Sequence, residues 1–398
     1  MYFPKLYPDE LLYSAIARCR VHLGVGSHKV LVRMLFGDSK VAAITDLPGH
    51  LTALASNTGV SAAGLVTHHT LFPLYAPFIP QERRHDLYQA MLSSNRPTIG
   101  LAGASMALVK WPEWLRFCPA CFEEMASRFG EPYWRRCWQI QGVEVCPEHG
   151  CQLLDSPVPF RRAQRHEFHA ASPLFIPSGD SEAPPSQDAV RLAMAVEQLL
   201  AYEDERSPGY GRWTNFYRDL ANECGARRGR QVRAGVIWER LLASYRRDWL
   251  EANGLWGSSG PPPWLLAIFR RHRKAFSALQ HLIIWTSLRP GEHVGEMIRV
   301  ANAHQSDISA GHSRQQLPAE FRQKLRYRAQ WRVALKEHGG AKVARESGGQ
   351  ACYAWLYRHD RAWFAAANKV RHKQQGNNSR IDWQERDKVL VRLLIQSR

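Results

Sequence analysis

Gly339-Gly340-Ala341-Lys342-Val343-Ala344-Arg345-Glu346-Ser347-Gly348-Gly349-Gln350 sets a short alanine-containing segment between two glycine pairs. Glycine punctuates helices because it reaches backbone conformations closed to other residues. Before the first pair, Leu325 to His338 reads as a helix with Trp331, Ala334 and Leu335 on its apolar face. After the second, Gln350 to about Asn368 reads as a third, longer helix. Long helix, turn, short helix of small residues, turn, long helix is a helix-turn-helix layout, in which the last helix enters the major groove of DNA. On that helix Gln350, Tyr353, Tyr357 and Arg358 are expected to face outward, with Arg361 and Lys369 further along. Cys352, Trp355, Leu356 and His359 are expected to face the core. Gln and Arg side chains read adenine and guanine edges, whereas Arg345 and Arg361 suit phosphate. The competing reading is a basic helical bundle that binds protein.

Upstream, Trp264 to Leu288 places Arg270-Arg271-His272-Arg273-Lys274 ahead of the apolar-rich Phe276 to Trp285. A basic cluster at the joint of two helices grips a DNA backbone or is simply a solvated turn. The charge distribution bears on the choice. Residues 1–200 carry 18 Lys+Arg and 18 Asp+Glu, whereas residues 201–398 carry 35 and 18, so the whole formal charge of +17 lies in the second half. Such a half attracts phosphate independently of sequence. An anionic membrane or an acidic protein would also fit. Interleaved aromatics and the absence of a long Lys/Arg run favour nucleic acid.

The neutral half carries a different signal. Cys118-Pro119-Ala120-Cys121 and Cys146-Pro147-Glu148-His149-Gly150 each hold two metal-ligand types three positions apart, with proline after the first. Proline fixes φ near −65°, and Gly150 supplies the positive φ that closes the second turn. Three thiolates and one imidazole suit one tetrahedral zinc ion at roughly 2.0–2.3 Å. Four protein ligands leave no open position, so Cys118, Cys121, Cys146 and His149 are expected to hold a structural ion. Cys151 is near enough to replace one of them but reads as an ordinary buried thiol, like Cys19, Cys137, Cys224 and Cys352. His166 and His169 have metal-like spacing without partner cysteines and read as surface residues. Tyr133 to Trp138 reads as a strand or packed segment under the metal.

The N-terminus reads helical. Pro8-Asp9-Glu10 offers an acidic helix start, and Leu11, Leu12, Ala15, Ile16 and Cys19 recur at helical spacing. Gly24 and Gly26 end that helix, Ser27 caps the next, and Val30, Leu31, Met34 and Leu35 give it a face. The apolar, proline-broken Leu71 to Phe78 is expected to be buried. Residues 177–188 and 257–263 have linker composition. Helices are expected near 188–202, 212–224 and 231–252. The chain therefore divides into a helical domain over 1–110, a zinc module over 111–176, a linker and helical region over 177–256, and a basic helical domain over 257–324. The helix-turn-helix domain spans 325–379, and residues 380–398 start a further helical unit. Overall the fold is expected to be mainly α and multidomain, with a small zinc ribbon. Without a signal sequence, an apolar span or a disulfide pattern, the location expected is cytoplasmic. Clustered carboxylates and an open metal position, which a nuclease needs, are not evident.

Taken together these residues resemble the TniQ/TnsD family of target-selection proteins of heteromeric transposons. The resemblance rests on Pro8 to Arg18, Leu71 to Phe78, the two metal frames, Ile268 to Ser277, Tyr353 to Arg361, and Arg380-Ile381-Asp382-Trp383. It implies a non-catalytic bacterial adaptor that is nucleoid-associated. Such proteins bind a chromosomal attachment site in double-stranded DNA through the basic half. The TniQ portion recruits the AAA+ ATPase regulator TnsC, which passes the target to the transposase. The family's zinc ligands fall on Cys118, Cys121, Cys146 and His149. Relatives usually run past the position of Arg398. Shorter relatives instead link an RNA-guided CRISPR effector to transposition, which is the alternative expectation.

Overall fold

The apolar periodicity after Pro8 folds into helix α1 (Leu12–His22), buried along most of its length. It does so in a computed structural model described over residues 1–93, 98–103, 111–161, 165–176, 186–204, 206–229, 231–257, 260–305 and 319–369. The chain forms two compact units, Met1–Ile308 and Ser309–Arg398. Both are mainly α, with only two small two-stranded sheets among the described residues.

In the first unit the acidic helix start is put to another use. Leu11 is the N-cap of α1, while Asp9 sits at φ 55° and Glu10 is fully buried. Both carboxylates are spent on arginines rather than on the helix end, as described below. The following helix, α2 (His28–Phe36), buries Leu31, Val32, Leu35 and Phe36, but leaves Val30 and Met34 exposed, so its inward face is rotated from the expected one. Next come α3 (Leu51–Thr58), α4 (Ala62–His69) and α5 (Phe72–Tyr75), followed by a 3-10 turn at Ala76–Phe78. The stretch from Leu71 to Phe78 is buried as expected, apart from half-buried Tyr75. Helices α6 (Gln81–Ser93) and α7 (Thr98–Leu101) lead to the metal-frame region. There β1 (Trp114–Phe117) pairs antiparallel with β2 (Leu154–Pro159), and α8 (Pro119–Phe129) starts directly after β1.

Tyr133 to Trp138 is a packed segment, with Trp134 and Trp138 fully buried. Helix α9 (Gln187–Leu200) matches its periodicity, and α10 (Gly209–Glu223) follows. The single helix expected over 231–252 is instead a hairpin and two helices. Strand β3 (Arg227–Arg228) pairs with β4 (Gln231–Val232), and then come α11 (Ala234–Ser244) and α12 (Arg247–Ala252). The break falls at Tyr245 and Arg246, which are extended. Tyr245 turns its hydroxyl inward to Thr286 Oγ1 at 2.7 Å, which fixes the chain there. Helices α13 (Pro263–Arg270), α14 (Ala278–Leu288) and α15 (Val294–Ala303) complete the unit. One hydrophobic core runs from Leu11 to Ala301. Helix α14 opens on a Ser277–Gln280 capping box and is buried on nearly every residue, so it has no face left for a groove.

The second unit packs α16 (Ala319–His338), α17 (Ala341–Ala344), a turn at Arg345–Gly349, α18 (Gln350–His359) and α19 (Arg361–Lys369). Trp331, Leu335, Ala344, Cys352, Leu356 and Phe364 form its core. Burying each large side chain contributes about 1.5–3 kcal/mol. Gly348 takes φ 97°, and a Cβ on Gly349 would lie 2.3 Å from the Ala344 carbonyl oxygen. The second turn therefore requires both glycines.

The helix expected from Gln350 to Asn368 is broken at Asp360 (φ −150°). The Asp360 carboxylate accepts from Arg328 at 2.6 and 3.1 Å and pairs with Lys324 at 3.4 Å. The break returns Phe364 to Trp331 and Tyr353, with ring centroids 5.3 and 4.9 Å apart. Trp355 is half-buried and His359 exposed, so neither is the core residue expected; Trp355 instead stacks on Tyr327. The expected linker residues 177–185 and the expected helix after Arg380 lie outside the described residues.

Candidate metal centre and nucleic-acid interface

Strand β1 delivers Cys118 to the N-cap of α8, where its sulfur accepts from the Cys121 backbone N–H at 3.4 Å. Pro119 occupies the first helical position, which needs no donor. Cys121 is thereby held in the first helical turn on the same side as Cys118. The second frame is closed by Gly150, at φ 64°, whose N–H donates to the Cys146 carbonyl at 2.9 Å. The Cys146 N–H donates to the Cys151 carbonyl at 2.8 Å.

The two frames bring together the four residues singled out from the sequence. Their ligand atoms all lie within 4.8 Å of one another. His149 Nδ1 is 3.6, 3.2 and 3.8 Å from the sulfurs of Cys118, Cys121 and Cys146, and the Cys121 and Cys146 sulfurs are 3.6 Å apart. A tetrahedral ion with metal–sulfur bonds near 2.3 Å requires ligand–ligand edges of roughly 3.5–3.8 Å. The cluster can therefore hold a metal ion with little movement. The Cys118 and Cys146 thiols push the Cys121 pKa up, while the thiols of Cys118 and Cys121 pull the Cys146 pKa down. Left to themselves the three sulfurs share protons, and a dication is what lets all of them ionise.

Outside these four, Cys151 lies 3.2 Å from the Cys118 sulfur but does not join the set. His166 Nδ1 donates to the Val41 carbonyl at 2.7 Å and His169 pairs with Glu167; both are half-buried rather than on the open surface.

Sequence reading missed what surrounds the cluster. His149 Nε2 pairs with Glu124 at 3.0 Å, which orients the ring so that Nδ1 faces the sulfurs. Glu124 lies three residues after Cys121 on α8, a spacing that places both on one side of a helix. Glu148, inside the second frame, pairs with Arg135 at 2.7 Å, and Arg135 also reaches Asp9 and Glu197. Asp9 accepts from Arg136 at 2.8 Å and from the Cys137 N–H at 3.1 Å. Glu10 pairs with Arg18, which also reaches Glu131 at 2.8 Å. The Pro8-Asp9-Glu10 stretch thus clamps the N-terminus onto the metal module.

In the second unit the expected outward residues divide. Gln350, Tyr357, Arg358 and Arg361 are exposed, as is Arg345 in the preceding turn. Tyr353 is half-buried and packs edge-on against Trp331. Arg345 stacks over the Tyr353 ring at 5.1 Å, Tyr353 stacks along Tyr357, and Arg361 lies 5.2 Å from the Tyr357 centroid. Arg345, Tyr353, Tyr357 and Arg361 therefore form a row along α18, with an arginine at each end. Arg358 donates to the Ala354 carbonyl. The Lys369 side chain lies outside the described residues. In the first unit Arg270, Arg271, Arg273 and Lys274 are exposed, whereas His272 between them is buried.

A family model described as TniQ matches residues 1–153, and one described as Tn7-like transposition protein D matches residues 291–396. The Escherichia coli protein described as Transposon Tn7 transposition protein TnsD is 35% identical over 409 residues, covering 99% of this chain and 79% of that protein. The chain belongs to the TnsD family. The TniQ match contains Cys118, Cys121, Cys146 and His149 together with Asp9, Glu10 and Arg18. The other TnsD-family match contains α16 to α19 with Gln350 and the arginine–tyrosine row. This is a family of transposition proteins. No helix among the described residues is long and apolar enough to cross a membrane.

Proposed function

We propose that this chain selects the target site for a TnsD-type transposon. In this reading the helix-turn-helix of the second unit recognises an attachment sequence in double-stranded DNA. The TniQ portion, stiffened by one zinc ion at Cys118, Cys121, Cys146 and His149, recruits the AAA+ regulator TnsC, which directs the transposase. The protein acts as an adaptor and performs no chemistry itself. The observation that carries the reading is α18. Its first residue, Gln350, is exposed after a glycine turn, as are Tyr357 and Arg358 further along the helix and Arg361 just beyond its end. A helix of this kind presents base-reading and phosphate-binding groups together.

The deciding experiment is a footprint of the purified chain on attachment-site DNA, followed by addition of purified TnsC. A discrete protected site that TnsC then joins supports the reading. If protection of duplex DNA requires a CRISPR effector, the adaptor role replaces it.

A further inference from the structure

Between the stretches that the two family models match, the first unit displays cations that neither the metal centre nor the second unit uses. The β3–β4 hairpin is one part. It follows α10 through Gly225 and is closed at its base by the Arg233 N–H donating to the Ala226 carbonyl at 2.8 Å. Buried Ala226 anchors it, and Arg227 stiffens its turn by donating to the Gly229 carbonyl at 2.8 Å. The loop after α13 is the other part. The His272 N–H donates to Thr214 Oγ1 of α10 at 3.0 Å, and its buried ring stacks on Tyr217 with centroids 5.4 Å apart. Arg271 and Arg273 on either side of this anchor are exposed.

Strand β4 packs against α13, and both parts are fixed to α10. From Thr214 to Glu223 that helix rises about 14 Å, which is about four base-pair steps of duplex DNA. The loop and the hairpin thus hang from one helix, with attachment points that far apart. Their order is established before any ligand arrives, which lowers the entropy cost of binding.

The charge balance here differs from the rest of the unit. Residues 226–274 carry eleven Lys+Arg against three Asp+Glu. Two of these arginines meet acids within the stretch, Arg246 with Asp248 and Arg247 with Glu251, as arginines do elsewhere in the unit: Arg18 with Glu10, Arg136 with Asp9, Arg299 with Glu296. The acids at the end of α10 are already engaged, Asp219 with Arg218 and His304, and Glu223 with Arg289. Among the described residues, no carboxylate pairs with Arg228, Arg233, Arg270, Arg271, Arg273 or Lys274.

We propose that the hairpin and the α13–α14 loop form one surface that grips the phosphate backbone of duplex DNA, independently of its sequence. It rests on the proposed reading that the chain binds duplex DNA, and adds to it a contact region outside the helix-turn-helix. Base discrimination stays with Gln350, and this surface supplies affinity and salt dependence.

The test uses the full chain and two double variants at exposed positions, Arg228→Gln with Arg233→Gln, and Arg271→Gln with Arg273→Gln. Affinity for attachment-site and scrambled duplexes is measured between 50 and 200 mM NaCl, with melting curves to verify folding. Each pair of substitutions should lower the slope of log affinity against log salt by about 2 and weaken both duplexes equally. An unchanged slope overturns the surface while leaving site recognition by the wild type intact. So does selective weakening of the attachment-site duplex, which would mean base reading. Loss of TnsC binding with an unchanged slope overturns it in favour of an acidic protein partner. Equal wild-type affinity for the two duplexes, with the slope lowered in the variants, keeps the surface and removes the proposed site recognition. Absence of any DNA binding by the wild type overturns both.

Discussion

The Arg18 guanidinium donates to both carboxylate oxygens of Glu10, at 3.0 and 2.8 Å, and almost none of either residue is open to solvent. The same guanidinium stacks over Tyr7 at 3.9 Å and reaches Glu131. Removing one partner of such a pair strands the other charge in a dry interior, at a cost of about 3–5 kcal/mol. Arg18→Met is therefore expected to lower the unfolding free energy by that amount in urea titration. A loss below about 1 kcal/mol would mean that the pair is only decorative.

Metal removal should act on the same region. Cys118→Ser is expected to lower zinc content and melt the frames. A stability loss of about 3 kcal/mol corresponds to a fall in Tm of roughly 6–12 °C. Elemental analysis and calorimetry on one preparation decide it, since full metal occupancy in the variant refutes the ligand assignment.

At the exposed start of α18, Gln350→Ala should reduce discrimination between the attachment site and a single-base variant by about 1–3 kcal/mol. Arg361→Ala, at a position that suits phosphate, should instead weaken both sites alike. If Gln350→Ala leaves the preference intact in competition binding, another helix reads the bases.

Gly349→Ala places a methyl group against the Ala344 carbonyl, where no flexible neighbour can yield. The second unit should lose about 2–4 kcal/mol, read as selective loss of its amide hydrogen-exchange protection. Protection equal to wild type would show that the turn tolerates a side chain.

Burial pushes the pKa of His69 down to about 4 and that of His272 down to about 3. The unfolded chain, with histidine near 6.5, takes up protons that the folded one refuses. This share of stability is present above pH 6.5 and is lost as pH falls through the 6.5-to-4 window. The loss is about 1.4 kcal/mol per pH unit for each histidine. Urea midpoints measured from pH 7.5 to 4.5 should fall accordingly, and His272→Phe should flatten the decline.

The parts legible in the sequence are those written locally. The two metal frames follow from ligand spacing, and the glycine pairs mark the turns of the second unit. α9 and α16 follow from apolar periodicity. Three other features depend on contacts that spacing does not encode. Asp9 and Glu10 looked like a helix start because acids favour that position, yet their partners Arg136 and Glu10's Arg18 answer to burial. The α18–α19 break at Asp360 is set by Arg328, on another helix. The hairpin at Arg227 to Val232 has strands of two residues, too short for an alternating pattern, and Gly229 at its turn was the only cue. In the first two of these, a charged side chain had found a distant partner.

The clamp on the N-terminus also has a consequence for the order of events at the ribosome. Arg18 and Asp9 wait for Glu131 and Arg136, 113 and 127 positions later. At about 5–20 residues per second, that interval lasts roughly 6–25 s. During it Leu12–His22 is synthesised but lacks those partners. Helix α1 is thus held in place only once the chain has been made as far as Arg136, between the two cysteine frames.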